Sequence, residues 1–349
     1  MATDAAAARR RILITRMRFI GDVVLTTPAI RSVRSAYPDG YIAYMGEKSA
    51  VSLLQGNPFL DEILPYDYGR PSIFEQARMA LALRKRRFDL VIDLFGNPRS
   101  ALIARLSGAR VRVGPERRGR GRLYTIQVAD DGLPKTAVEF HNRSIAAAGI
   151  PPVASAPEIF LSGDERRDAR AYLRWSLGEG APEGKIVGIH PGATWPAKRW
   201  LPERFAELAD LVRAKLAAAV VLVGGPADRD AVNAVRSRSV TAPSALNVLP
   251  LRQLAAVISC FSAFVANDAG PMHIAAALGV PTIGLFGPGE ENIWFPYDAS
   301  HGHAALRRDV PCHPCHLDFC NRTGDGYMEC MKLLTVDEVL AALHMSLSR

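Results

Sequence analysis

Ile186-Val-Gly-Ile-His190-Pro-Gly-Ala-Thr194-Trp-Pro-Ala-Lys198-Arg-Trp200-Leu-Pro202 is the stretch that decides how this chain is built. Ile186 to His190 is a short apolar run, the pattern of a buried strand. Pro202 then opens a helix that runs to Lys215, proline being favoured in a helix's first turn. A strand feeding a helix through a short loop is the building unit of a parallel sheet. The loop itself carries small residues at Gly192 and Ala193, which let a phosphate approach the backbone. Thr194 adds a hydroxyl and Lys198 a point charge. Both side chains could equally be loop surface; Trp200 reads as core packing.

The same unit recurs on both sides of this stretch. Downstream, strands are expected at Ala219–Val223, Ala263–Ala266 and Pro281–Phe286, with helices at Leu251–Ser259 and Met272–Leu278. Upstream, strands are expected at Arg11–Thr15, Tyr41–Met45, Asp89–Leu94 and Arg110–Val113. Helices at Val23–Ala36, Ile73–Arg87 and Ala137–Ala148 alternate with them. The proline-rich segment Gly149 to Pro157 separates the two sets. A chain of 349 residues suits two domains. The expected fold class is therefore α/β, with two doubly wound parallel-sheet domains at 1–155 and 156–334. An amphipathic helix at 335–349 closes the chain. Open parallel sheets bind ligands at their strand C-terminal ends, so a cleft between the domains is the expected active site.

Two further loops follow strands. Arg16-Met-Arg18-Phe-Ile-Gly21-Asp22 comes after the first strand. Asp22 there is either a helix N-cap or a general base at the sheet edge. Asn267-Asp268-Ala269-Gly270-Pro271-Met272-His273 comes after the strand at Ala263. Asp268 could cap the next helix and His273 could be a core histidine. Two such turns in one domain nevertheless favour a diphosphate site, because helix N-termini attract anions. No G-x-G-x-x-G follows a predicted strand and no G-x-x-x-x-G-K-[ST] occurs, which weakens a dinucleotide dehydrogenase and a P-loop nucleotidase.

Charge is uneven. Residues 1–125 carry 22 basic and 11 acidic side chains, the remainder 21 and 24. The basic first half points to an anionic partner: nucleic acid, a phosphorylated lipid or an anionic membrane surface. No run of about 18 apolar residues reads as a membrane span. The alanine- and arginine-rich start lacks the apolar region of a signal peptide, so a cytoplasmic protein is expected.

Taken together these motifs resemble the glycosyltransferase family 9 heptosyltransferases. Arg18-Phe-Ile-Gly-Asp22-Val-Val-Leu-Thr-Thr-Pro-Ala29 is similar to that family's opening motif. His190-Pro-Gly-Ala193 with Lys198-Arg-Trp200 is similar to its phosphate loop. Asp268-Ala-Gly-Pro-Met-His273 through Thr282 is similar to its nucleotide signature. The resemblance implies a GT-B architecture of two Rossmann-like domains facing a cleft, the first binding the acceptor and the second ADP-heptose. It implies an inverting transfer of heptose to the inner core of lipopolysaccharide, needing no metal and no cofactor. Asp22 would be the general base, with Lys198 and Thr194 on the diphosphate. Asp268, Gly270 and His273 would complete the donor site, and Asp228 would hold the ribose. The closing helix would cross back to the first domain. Ala269 departs from the family, which usually has Ser or Thr there. The implied acceptor carries phosphates and carboxylates, which suits the arginines at 110, 117, 118 and 120, Arg110, Arg117, Arg118 and Arg120. Peripheral contact with the anionic inner face of the inner membrane is also expected, and no nucleic acid, since no nucleic-acid module is recognisable. The alternatives are a family member using another nucleotide sugar or acceptor, and a non-catalytic nucleotide-binding protein on this scaffold.

Cys312, Cys315, Cys320 and Cys330 have a C-x2-C-x4-C-x9-C spacing. That spacing suits a small structural metal site, but reduced thiols or a local disulfide fit it as well. The three loops lie far away along the chain.

Overall fold

Ile12, Leu13 and Ile14 in the first strand have no solvent exposure. Burying each contributes about 1.5–3 kcal/mol, and a strand apolar on both faces needs a helix layer on each side. A computed structural model of the protein has that arrangement. It describes residues 9–67, 69, 73–116, 119, 121–133, 135–178 and 184–348. The chain divides into two units, Met1–Phe160 and Leu161–Arg349. None of the described helices is long and apolar enough to cross a membrane.

The first unit runs β1 (Arg11–Arg16), α1 (Ile20–Val24), α2 (Thr27–Ala36), β2 (Tyr41–Glu47), α3 (Lys48–Val51), β3 (Glu62–Tyr66) and α4 (Ile73–Lys85). It continues through β4 (Leu90–Asp93), α5 (Pro98–Leu106), β5 (Val111–Pro115), β6 (Ile126–Val128) and α6 (Ala137–Ala147). Its six strands are parallel in the order β3-β2-β1-β4-β5-β6. Strand residues alternate between two cores. Ile12, Ile14, Ile42, Tyr44 and Ile92 join Ile30, Val33 and Ile145 of α2 and α6 on one face. Leu13, Ala43, Met45 and Val91 join Leu83, Ala101 and Ile103 of α4 and α5 on the other.

The second unit runs α7 (Gly163–Leu177), β7 (Ile186–His190), α8 (Pro202–Leu216), β8 (Ala219–Leu222), α9 (Arg229–Arg238), β9 (Ser244–Ala245) and α10 (Leu251–Ile258). Then come β10 (Ala263–Asn267), α11 (Gly270–Ala277), β11 (Thr282–Leu285), α12 (Glu291–Trp294), β12 (Ala304–Leu306), α13 (Glu329–Lys332) and α14 (Val336–Leu347). Its sheet is again six-stranded and parallel, in the order β12-β11-β10-β7-β8-β9. Each unit thus has the Rossmann strand order, with its switch point between β1 and β4 or between β7 and β10. This is the GT-B pairing of two Rossmann-like domains.

Two local expectations need correction. The helix expected over Val23–Ala36 is two helices, interrupted at Leu25 and Thr26. Pro28, lacking an N–H, starts the second one. The closing helix, expected to cross back to the first domain, has its apolar face inside the second unit. Val336, Val339, Leu340 and Leu343 share a core with Phe205, Leu208 and Val212 of α8.

Candidate active site

In the first unit, Asp22 follows β1 beside the switch point. It is the third residue of α1, which Phe19 precedes as N-cap, so the N-cap reading of Asp22 is corrected. The short Phe19–Gly21 turn starts the helix earlier than the apolar run at Val23 indicates. Asp22 is 8% exposed. Its Oδ1 accepts a hydrogen bond from Arg16 Nη2, and the Phe19 N–H reaches Oδ2 at 3.4 Å. The Arg16 guanidinium lies 4.6 Å from the centre of the Phe95 ring. Behind this pair sits His141, buried, with Nδ1 3.2 Å from the Leu25 carbonyl oxygen. Burial, and next the Arg16 charge, push the His141 pKa down to about 4. That imidazole is neutral near pH 7.

In the second unit four loops converge at the strand C-terminal ends. Lys198 Nζ donates to Asp268 Oδ2 at 2.5 Å and stands 4.5 Å from the Trp195 ring centre. The pair is mostly buried, with side-chain exposures of 17% and 7%. Gly289, after β11, lies against it: a Cβ there would fall 2.9 Å from Asp268 Oδ2. Gly289, having no side chain, leaves the lysine and the carboxylate uncovered on that side.

A second cluster adjoins the first. Asp228 Oδ2 accepts from the Gly225 N–H at 2.8 Å and lies 3.2 Å from His190 Nε2. Burial alone would raise the Asp228 pKa. The His190 hydrogen bond and charge, the Gly225 N–H and Arg199 outweigh it and hold the carboxyl below the usual carboxylate range. His190 is buried and its Nδ1 has no hydrogen-bond partner among the described residues. Gly192 touches this carboxylate so closely that a Cβ would meet Oδ1 at 2.0 Å. Asn267 joins the two clusters. Its amide donates to the carbonyls of Pro191 at 2.9 Å and Gly192 at 3.1 Å, and its Oδ1 accepts from the Trp200 N–H at 2.9 Å.

The structure thus brings Lys198, Asp268, Asp228 and the start of α11 at Gly270 into one loop system. Thr194 is exposed on the same loop as Lys198. Ala269 is the α11 N-cap and offers no side-chain cap. His273 is buried and its Nδ1 is 2.9 Å from the Tyr297 hydroxyl. Trp200 is core, packed edge-on to Phe205, with its indole N–H on the Leu334 carbonyl. Arg110 is exposed in the first unit; Arg117, Arg118 and Arg120 lie outside the described residues. Asn267, His190, Gly289 and Arg16 were not singled out from sequence. A polar residue ending an otherwise apolar strand was the available signal for Asn267.

The cysteine segment, distant along the chain, is close in space. His313 Nε2 is 2.9 Å from the Gly289 carbonyl oxygen, and the His316 N–H donates to Pro288 at 3.2 Å. The Ala197 N–H donates to the Asp318 carbonyl at 3.0 Å. The segment therefore braces the Gly289 loop and the turn that carries Lys198. The four thiols are free and half-buried. Burial, with the neighbouring thiols adding, pushes Cys330 up to about 11. Among the described residues no group of three or more His, Cys, Asp or Glu side chains is arranged to hold a metal ion.

Comparison with known proteins agrees with this architecture. Lipopolysaccharide heptosyltransferase 2 of Salmonella typhimurium is 28% identical, over 97% of this chain and 99% of its own length. A family 9 glycosyl transferase from Veillonella parvula superposes with a TM-score of 0.83 at 25% identity, covering 97% of each chain. The E. coli ADP-heptose lps heptosyltransferase II superposes with a TM-score of 0.79 at 25% identity, over 97% of this chain and 98% of that one. The model of glycosyltransferase family 9 (heptosyltransferase) matches residues 76–322, and the chain belongs to that family.

Proposed function

We propose that this glycosyltransferase moves heptose from ADP-heptose to the inner core of lipopolysaccharide, inverting the anomeric centre and using no metal ion or other cofactor. The observation that carries the reading is the pairing of Lys198 with Asp268 at the second unit's switch point, between two loops that end in helix starts. An ammonium group has three donors and Asp268 occupies one. The others are available to a diphosphate lying over Gly289. As the glycosidic bond breaks, negative charge grows on that diphosphate. Lys198, the Thr194 hydroxyl and the N–H groups around Gly270 stabilise it in the absence of a metal. Asp228 takes the ribose hydroxyls, and His273 supports the α11 turn from below.

On the acceptor side, Asp22 accepts the proton of the attacking sugar hydroxyl. Arg16 fixes one carboxylate oxygen, which leaves Oδ2 for the proton. A carboxylate is a weak general base. It contributes through position and late proton transfer. Arg110, with Arg117, Arg118 and Arg120, meets the acceptor's phosphates and carboxylates. A lipid-borne acceptor brings the enzyme, in the cytoplasm, into peripheral contact with the anionic inner face of the inner membrane; nucleic acid has no part.

Ala269 favours a second reading, a family member with another donor or with none, because the hydroxyl usual at that turn is missing. Thermal shift with ADP, UDP, GDP and CDP separates these, since a ligand of the native state raises its melting temperature. Selective stabilisation by ADP is expected. Preference for UDP, or no response to any nucleotide, would overturn the donor assignment.

A further inference from the structure

A surface helix normally turns polar residues to water and apolar ones to the core. α4 departs from this. Its inner side buries Leu83 among Phe88, Ala101 and Ile103. On the opposite side, seven residues apart, Phe74 and Leu81 stand 87% and 61% exposed. Arg78 and Lys85 follow each of them by four positions and share the same exposed stripe. α5 lies beside α4 over the same face of the sheet, tied to it by Arg84 Nε on the Leu106 carbonyl at 3.1 Å. Its outward residues are Arg99, Leu102 and Arg105, with Leu102 44% exposed. Glu75 is the one acidic residue of the two helices, and it falls outside the Phe74–Leu81 stripe.

We propose that this two-helix face docks on an anionic lipid surface. Cations interleaved with separately protruding apolar side chains suit a headgroup layer. The cations pair with lipid phosphates while Phe74, Leu81 and Leu102 enter the acyl boundary. Nucleic acid would pair with the cations but leave Phe74 and Leu81 in water. The core of a protein interface is depleted of charge, whereas here charge runs through the centre. The choice of lipid as occupant rests on the reading that the acceptor is lipid-borne; the geometry of the face does not.

The test is co-sedimentation of the full chain with vesicles of phosphatidylglycerol and phosphatidylethanolamine, and with phosphatidylcholine alone. The wild type should bind the anionic vesicles and release them as salt rises. Arg78→Gln with Lys85→Gln should weaken binding by roughly fivefold per cation. Phe74→Ser with Leu81→Ser should weaken it at least about tenfold. These side chains are exposed, so melting curves should match the wild type and confirm folding. Transfer to a soluble, delipidated acceptor should be unchanged in both variants. Absence of anionic-vesicle binding, or binding that neither variant alters, would overturn the proposal. So would a wild-type dimer that the apolar variant dissolves without any vesicle binding, which would assign the face to a second copy of the chain. If vesicle binding behaves as expected but no heptose is transferred, the docking face stands and the proposed reaction falls.

Discussion

Asn267→Ala should unclasp the donor loops. The side chain is fully buried and makes three hydrogen bonds, to Trp200, Pro191 and Gly192. At about 1 kcal/mol for each bond, the loss comes to about 3 kcal/mol. The Trp200 N–H is left without its acceptor in a buried place, which pushes the cost toward the upper part of the usual range. For a unit of this size, that lowers the melting temperature by roughly 6–12 °C. All the tryptophans, Trp175, Trp195, Trp200 and Trp294, lie in the second unit. Tryptophan fluorescence during urea unfolding therefore reads this unit by itself. Asn267→Asp keeps an acceptor for Trp200 but sets a carboxylate oxygen against two carbonyls, and should be at least as damaging as alanine. ADP affinity should fall in both variants, since the Lys198 and Asp228 loops lose their common anchor. A loss below about 1 kcal/mol, or an aspartate variant more stable than the alanine one, would refute the clasp.

Ala269→Ser places a cap at the start of α11 and should raise stability by about 0.5–2 kcal/mol in thermal melts; in the same variant ADP should bind more tightly by isothermal titration, and unchanged affinity would show that the turn makes no side-chain contact with phosphate. Lys198→Ala should abolish the ADP-induced thermal shift and also destabilise the chain, because it leaves Asp268 buried without its cation; adding Asp268→Asn should restore part of the stability but not the ADP response. Acid should act through two windows. Burial holds His141 down at about 4, and burial followed by the His301 charge does the same for His303, from an ordinary 6.5, so their contribution is complete above 6.5 and is lost as pH falls toward 4, where the unfolded chain binds protons first. The Arg252 hydrogen bond holds Glu165 at about 2 instead of 4.5, so that contribution is lost between those values; in urea midpoints across pH, His141→Gln should shrink the first window by its share, His303 keeping the rest, and Arg252→Gln should flatten the second.

The centre of the fold was legible in the sequence and its margins were not. β1, β4, β7 and β10 are buried on both faces, so their apolar runs are unbroken. β3 carries Pro65 and lies at the sheet edge, where a missing N–H costs little. β9 is two residues long, and β6 and β12 are half-buried edge strands. No period can be read from such pieces. α7 was missed because nearly half of its residues are charged and its apolar positions are sparse; its Ser162 cap with Glu165 three residues into the helix was the cue. Loop placement follows from strand ends, which is why Asp22, Lys198 and Asp268 could be set at the C-terminal ends of strands, where the structure has them. Their neighbours could not, because partnership is a matter of space. Nothing local in Arg16 marks it as the cation on Asp22, and His313 reaches Gly289 from 24 residues away. The tail helix was misassigned because an amphipathic pattern shows that a face is buried without naming what buries it.

The most direct measurement is transfer from ADP-heptose to defined truncated lipopolysaccharide cores, read by the mass of the product, with the native chain and Asp22→Asn side by side. The native chain should add one heptose to a single core. The variant should fold, keep its ADP-induced thermal shift and transfer almost none. Near-native transfer by Asp22→Asn would remove the base from the mechanism, and a native chain that binds ADP but modifies no core would contradict the assignment of donor and acceptor together.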